Sequence, residues 1–499
     1  MAAYGRPGVY ITERLLPAPI SSGGGTAAAG AVICSLGQGP TDITLVNSWY
    51  EFTQTFGGYD LNYPATFGIG QFFKSGGNEL YVRRVLASDA VAASMTIAAS
   101  AGTVGTITAR AKGVDGNKLA VQFIQVGSSA YYNVIVSKDV GTTADVVLEQ
   151  YDNVMFDNDP VTGDFIVDVI NNASAYITVT VSDQTKVPSV TTPVGFTSGA
   201  NGAGLATADF TSALADFNAL DRPLVMFSPE LHRQTFAAGG ATTAATVLDT
   251  IISYAATATN VFVVAETAPD LSVASAITYA DGRANQSNVA MYYPNVFIAD
   301  PFGRNATSVR KCGPAGSVAG LYIATDRAQG PFKSPAGLRT ELGGVVALER
   351  RFTSAELDTL NSSSSPVNAI RDIPGAGVVV MGARTLLQDG TANRYVSMRR
   401  SLIHIQKQLK DLTQFAMFEN NDSNLWGRIR TTLSVFLNDY RNIGGLAGTT
   451  PDEAFFVKCD RENNPDSDIA QGIVNIEVGV SLEYPAEFVV ITLSQKTAN

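Results

Sequence analysis

The sequence predicts a multidomain α/β (α+β) protein, on three observations. At 499 residues the chain is too long for one ordinary core, so two to four domains are expected. Between residues 198 and 312 strand-like and helix-like stretches alternate, which implies βαβ units and a mostly parallel sheet. From about Ser88 to Pro193 the chain instead runs in short Val- and Thr-rich alternating pieces separated by turn residues, the pattern of a small β-sandwich or barrel.

Composition narrows the function. Only 16% of residues are charged and the net charge is −11, which argues against a nucleic-acid binder with its basic footprint. Sparse charge and many small residues leave neutral surface for burial between subunits. Cys34, Cys312 and Cys459 are odd in number and far apart, which fits a reducing compartment and suggests neither a disulfide framework nor a zinc site. The N-terminus lacks a basic stretch followed by a long apolar one, and no run approaches the roughly 18 apolar residues of a membrane span. A soluble protein without a signal peptide or membrane insertion is expected.

Taken in order, Pro7-Gly8-Val9-Tyr10-Ile11-Thr12-Glu13 is strand-like and precedes a flexible Pro/Ser/Gly-rich linker from Pro17 to Gly25. Val9 and Ile11 share a face, which favours a sheet-adding arm over a frayed terminus. Ala31–Ser35 reads as a buried strand with Gly37-Gln38-Gly39-Pro40 as its turn, and Phe72–Gly77 leads into a strand at Glu79–Val85. Within the β-rich stretch the strand candidates are Thr103–Ala109, Leu119–Val126, Tyr131–Ser137 and Tyr176–Val181. The alternating region offers a helix carrying Phe210, Leu214, Phe217 and Leu220, a strand at Leu224–Ser228 and a helix around Leu248–Ala255. Strands at Asn260–Ala265 and Val289–Ala299 follow. Pro314–Asp326 reads as a helix, followed by Val367–Arg371 and the Gly-rich Gly375–Gly382.

Two amphipathic helices mark the last quarter. Met398, Leu402, Ile405, Leu409 and Leu412 recur at steps of four and three, while Arg399, Arg400, Lys407 and Lys410 fall on a separate arc of roughly 100°. Leu425, Ile429, Leu433, Phe436 and Tyr440 form a second stripe, with Asp422 or Ser423 to cap it and Gly444-Gly445 to stop it. Strands are expected at Ala454–Cys459 and Val474–Leu482, and a last one in the segment containing Phe488, Val489, Val490 and Ile491.

No catalytic constellation stands out. The two histidines, His232 and His404, lie in no metal-ligand spacing or nucleophile motif, and Walker A, HExxH and EF-hand patterns are missing. Gly199–Gly204 lacks the order of a dinucleotide fingerprint, and Gly76-Gly77 lacks the helix of a phosphate loop. Glu266 and Asp300 close strands at their carboxyl ends, where an α/β enzyme would place catalytic groups. End-of-strand polar residues are the plainer reading.

Several runs together resemble the contractile tail sheath proteins of phages and related injection machines. They are Ile373-Pro374-Gly375-Ala376-Gly377, Gly382-Ala383-Arg384-Thr385-Leu386, Arg394–Arg400 and Phe418-Glu419-Asn420-Asn421 with Leu425-Trp426. Cys459-Asp460 with Asn463-Asn464 and Pro485-Ala486-Glu487-Phe488 complete the set. The opening Pro7–Glu13, Phe72–Gly77 ahead of Tyr81–Val85, the turn Gly113–Asn117 and Gly330–Gly337 resemble sheath elements as well, though Gln38 stands where the family has a basic residue.

The resemblance implies a discontinuous inner α+β domain built from both chain ends, with outward-facing α/β and β-sandwich or barrel-like insertions. The expected division is an arm and linker at 1–25, inner domain at 26–87, a β-rich insertion at 88–197, an α/β domain at 198–340, inner domain again at 341–484 and a terminal arm at 485–499. It further implies a non-enzymatic structural subunit without cofactors, polymerising helically around an inner tail tube and contracting to drive that tube through a cell envelope. Its partners would be further copies of itself, the tube, baseplate and tail terminator proteins, and its place the virion tail, assembled in the bacterial host cytoplasm. Val9, Tyr10, Ile11, Thr12 and Glu13 with Phe488, Val489, Val490 and Ile491 would be intersubunit arms. Arg399, Arg400, Lys407 and Lys410 would face the tube. The competing classes are an α/β enzyme or a surface adhesin with a site near the strand ends of 198–312.

Overall fold

The computed structural model describes residues 28–142, 145–158, 164–189, 192–237, 242–303, 308–387 and 391–487. The expected arm residues Val9–Glu13 and Phe488–Ile491 lie outside these. The chain divides into two compact bodies: one holds Ala28–Gln406 and the segment from Leu482, the other Lys407–Ser481.

The larger body begins with β1 (Ala29–Cys34), β2 (Thr44–Val46), α1 (Trp49–Phe56), α2 (Ala65–Lys74) and β3 (Leu80–Arg84). A β-rich module follows, with β4 (Ala92–Ala98), β5 (Thr103–Lys112), β6 (Leu119–Gln125), β7 (Tyr132–Lys138), β8 (Val146–Val154), α3 (Ile166–Ala173), β9 (Ile177–Val181) and β10 (Val194–Gly195). Then come α4 (Thr207–Ala215), β11 (Leu224–Phe227), α5 (Ala244–Thr257), β12 (Val261–Glu266), α6 (Val273–Asp281) and β13 (Val289–Tyr293). The remainder comprises β14 (Val296–Ala299), β15 (Val309–Cys312), α7 (Ala315–Gln329), β16 (Val345–Leu348), α8 (Ser354–Ser362), β17 (Val367–Ile373) and β18 (Gly377–Val380).

Eight strands form the central sheet in the order β18-β17-β13-β12-β11-β1-β3-β2. All pairs from β17 to β3 are parallel, as the strand–helix alternation predicts, and only the two edge pairs are antiparallel. A parallel sheet must be covered on both faces, and the period-2 alternation of its strands supplies both cores. Val32, Val225, Phe227, Phe262, Val264 and Tyr292 point to one face, against Phe67 and Phe72 of α2 and Val318 and Tyr322 of α7. Ala31, Ile33, Met226, Val263 and Met291 point to the other, against Phe210 of α4, Ile251 of α5 and Ala276 of α6.

This sheet corrects the expected domain division. β1 and β3 were assigned to an inner domain apart from the α/β unit, yet β1 lies between β3 and β11 in a single sheet. The physical reason is that β1 is apolar and buried on both faces, so it takes a parallel neighbour on each side. Likewise 341–484 is not one piece, because β17 and β18 complete the same sheet while Lys407–Ser481 forms the separate body. The single strand expected at Val289–Ala299 is two, since Pro294 has no amide N–H to donate; β14 pairs instead with β15 and β16.

The module between Val91 and Ala200 forms sheets of its own. Its sheets, β10-β6-β7-β8 and β4-β5-β9, are open and antiparallel, with a core of their own that includes Ile107, Val121, Phe123, Val134, Phe156 and Ile177. Its two ends lie side by side, the Val91 and Ala200 backbones exchanging hydrogen bonds of 2.9 and 3.0 Å.

Helix α9 (Val396–Thr413) begins in the larger body, and its last turns belong to the smaller one. There α10 (Ser423–Asn442) starts at Asp422, whose carboxylate accepts the Asn424 and Leu425 N–H groups at 2.9 Å, and it ends before Gly444, whose φ of 87° a side chain would strain. Leu425, Ile429 and Leu433 bury against Leu409, Leu412, Phe415 and Cys459. An antiparallel ribbon of β19 (Phe455–Lys458) and β20 (Glu477–Val480) completes this body. β20 is shorter than the expected strand because the Asn475 N–H is taken at 2.6 Å by Asn464, itself fully buried.

Candidate functional site

The four basic residues expected on one outward arc of α9 do not act alike. Arg400 is only 4% exposed, ion-paired with Asp326 of α7 and 4.7 Å from the Tyr322 ring centroid. Burial raises the Asp326 pKa and the guanidinium opposes that rise. Arg399 is half-buried and donates from Nε to Asn288 at 2.5 Å. A helical wheel drawn on α9 alone does not show that α7 supplies a carboxylate for Arg400 inside the core. Lys407 and Lys410 belong to the smaller body, Lys407 paired with Asp411 one turn on and Lys410 exposed.

The β19–β20 ribbon is the second feature with assembly geometry. Both outer edges lack a strand partner among the described residues, and Phe456 is exposed on it. A lone two-stranded ribbon is marginal in water, so its position against α10 matters. In the larger body Glu487, the last described residue, is held by Arg384. Nε donates to both carboxylate oxygens at 3.0 and 3.2 Å and Nη2 to one at 2.5 Å, while Nη1 donates to the Asn361 carbonyl at 2.8 Å. Those bonds to Glu487 are the main cause that raises the Arg384 pKa. Any segment beyond Glu487 thus departs from a fixed point.

The strand ends carry no catalytic arrangement. Glu266 accepts the Glu230 N–H at 2.7 Å and the Ala315 N–H at 3.1 Å, so it satisfies the start of α7. Burial first, and then the neighbouring Glu230, push its pKa up to about 8 against those two donors. Glu230 holds a left-handed backbone, φ 56°, and its carboxylate takes the Gly313 N–H and pairs with Arg233. Gly313 is required here, since a Cβ would lie 2.1 Å from the Glu266 carboxylate. His232 contacts the Tyr279 hydroxyl at 3.3 Å and is pushed down to about 4 by burial and then by Arg283. Ser228, His232 and Glu266 border one cavity of about 10 Å³, scarcely room for a water, and share no hydrogen bond.

At the topological switch between β1 and β11 lies a crevice of about 260 Å³, where α/β proteins bind ligands. Its polar groups serve one another: Gln234 accepts the Ser35 N–H at 3.3 Å and Asn201 donates to the Tyr63 hydroxyl at 2.6 Å. Asp300 accepts the Phe302 N–H at 3.1 Å. Among the described residues no cluster of three or more His, Cys, Asp or Glu is placed to hold a metal, and no helix is long and apolar enough to cross a membrane.

One structural residue escaped the sequence reading. Arg84 is wholly buried and donates to the carbonyls of Leu36, Gly37, Gly39 and Lys112, tying β3 to the turn after β1 and to the module. Its burial lowers its pKa to about 10. The signal was present, because Leu80, Val82 and Arg84 alternate onto one face.

Known proteins bear on this architecture. Residues 206–386 match the family model described as the phage tail sheath protein central domain. The tail sheath protein of Vibrio phage KVP40 is 30% identical over 154 residues, 31% of this chain and 22% of that one. The tail sheath protein of Enterobacteria phage T4 is 25% identical over the same length and with the same coverage. The matched stretch thus spans about a fifth of the length of those relatives. In fold, the chain is similar to a sheath tail protein from Listeria innocua, with a TM-score of 0.64 at 13% identity, covering 92% of this chain and 96% of that one. It is also similar to the sheath complex of the extracellular contractile injection system PVC in its contracted state, with a TM-score of 0.60 at 18% identity and 99% of both chains covered. Residues 206–386 are thus similar to a phage tail sheath central domain, and the multidomain α/β fold is similar to that of sheath proteins. The resemblance to contractile tail sheath proteins holds in sequence and in fold.

Proposed function

We propose that this chain is the subunit of a contractile tail sheath: a structural protein that polymerises helically around an inner tail tube and contracts to drive the tube through a cell envelope. The observation that carries this reading is the β19–β20 ribbon with two open edges, in a chain whose two terminal segments read as strands. Val9–Glu13 and Phe488–Ile491 from neighbouring copies add to those edges through main-chain hydrogen bonds. A head-to-tail contact that does not close generates a filament from one kind of subunit. Contraction is a change between two packings of that subunit, the extended one metastable. Its energy comes from assembly, in keeping with carboxylates at the strand ends that cap backbone instead of facing a substrate.

Lys407 and Lys410 remain the tube-facing residues, against an acidic tube surface; Arg399 and Arg400 leave that set because the body of the subunit uses them. Baseplate and tail terminator proteins bind the sheath ends, the tail of the virion is its place, and it assembles in the bacterial host cytoplasm. The β-rich module faces outward.

Negative-stain electron microscopy tests this reading on three samples, each with and without the tube protein. The full chain is expected to form hollow striated tubes, a chain lacking residues 1–14 only dispersed particles, and the Lys407→Glu, Lys410→Glu variant tubes that no longer enclose the inner tube. Dispersed particles from the full chain under every condition would overturn the sheath reading.

A further inference from the structure

We propose that Phe418 of one copy of this chain seats in the groove between α9 and α10 of the next copy. This apolar contact goes beyond strand exchange and is independent of the tube. Both halves lie in the smaller body, and neither is explained by a contact among the described residues.

Phe418 is fully exposed, with Met417 beside it also exposed. Its φ is 64°, a left-handed backbone that is unfavourable for a bulky side chain. A chain avoids such a conformation unless its surroundings impose it, and here they do. Asn421 accepts the Trp426 indole N–H at 2.8 Å and donates to the Ile473 carbonyl at 2.9 Å, and Asp422 then caps α10. The loop is pinned just after the knob, so the aromatic ring is presented in a fixed place.

The groove holds about 650 Å³ and is lined in part by Asp411, Leu412, Phe415, Gly427, Arg428 and Thr431, with Arg428 stacked 4.9 Å from the Phe415 ring centroid. Gly427 lies inside a 20-residue helix, where glycine is unfavourable, and a Cβ added there would meet nothing within 4 Å. No packing among the described residues requires this glycine; an incoming side chain that approaches the bare helix backbone does. Phe418, being fully exposed, does not fill the groove of its own chain.

A second copy is the occupant that the surface chemistry fits. Glu419 flanks the knob and Arg428 flanks the groove, and within one chain they make only a loose, exposed pair at 3.6 Å. Between copies the acid beside the knob meets the base beside the groove as the ring enters. Each chain offers one knob and one groove, so every copy gives one such contact and receives one.

The test is disulfide trapping between full-length chains. A Phe418→Cys chain is mixed with a Gly427→Cys chain under assembly conditions and oxidised; the native cysteines are all buried and do not compete. Linked dimers are expected from the mixture and not from either chain alone. Two further variants, Phe418→Ala and Gly427→Leu, are expected to raise the concentration needed for assembly about tenfold, with unchanged circular dichroism. No dimer from the mixture would overturn the proposal. So would dimers from Phe418→Cys alone, which place two knobs against each other, or normal assembly by Phe418→Ala with loss only of the tube. Failure of strand exchange after removal of residues 1–14 leaves the trapping result readable, because the trap needs only one contact.

Discussion

At the scale of single residues, the buried charges of the larger body are structural and make its stability depend on pH. Glu266 is shifted from the ordinary 4.5 to about 8, with burial as the first cause and Glu230 as the second. A folded state that holds a proton its unfolded state releases is stabilised most below the ordinary carboxylate range, and it loses that stability as pH rises through the shifted value. Denaturant midpoints are therefore expected to fall between about pH 4.5 and about 8, and Glu266→Gln is expected to flatten that slope. A wild-type midpoint constant across the interval would show that the Ala315 and Glu230 N–H donors outweigh burial. Arg400 shows what a linear sequence hides. Its place on α9 was legible from a step of about 100° per residue, but Asp326 lies on another helix, and only tertiary packing brings the two together.

At the scale of elements, two glycines in helices make opposite predictions. Gly316 of α7 lies against α2 so closely that a Cβ would come within 2.0 Å of the Gly68 carbonyl oxygen. Backbone cannot give way as a flexible side chain can, so Gly316→Ala is expected to cost about 1–3 kcal/mol in thermal or denaturant unfolding. Gly427→Ala meets open space and is expected to add about 1 kcal/mol of stability through helix propensity. The long amphipathic elements were readable beforehand because their apolar spacing is a local property: α5, α9 and α10 fall where the pattern puts them. α1, α2 and α8 were not foreseen. α2 has only ten residues and two of them are glycine, a poor helix former, which hides it in the sequence.

At the scale of the whole molecule, strand order was the least legible feature. Parallel pairing follows from alternation of strands and helices, but nothing local says that β1 inserts between β11 and β3. The module was legible because most of its strands alternate along hairpins, β4–β5, β6–β7 and β7–β8, and it closes on its own core, while the pairings of β5 with β9 and of β6 with β10 span more of the chain. Since Val91 and Ala200 are hydrogen-bonded side by side, replacing residues 92–199 with a short Gly/Ser turn is expected to leave one cooperative unfolding transition, a few degrees lower as the Arg84 bond to the Lys112 carbonyl is lost. Circular dichroism during heating checks this; loss of the cooperative transition would mean that the module is part of the main core.

The central place of β1 also sets an order of events during synthesis. β1 leaves the ribosome early, but its neighbour β11 follows about 190 residues later, after the whole module. Until Leu224–Phe227 emerges, one edge of an apolar strand stands open, and the module between them folds first through contacts near in sequence. By folding first, the module draws Val91 and Ala200 together and so shortens the loop that the central sheet must close.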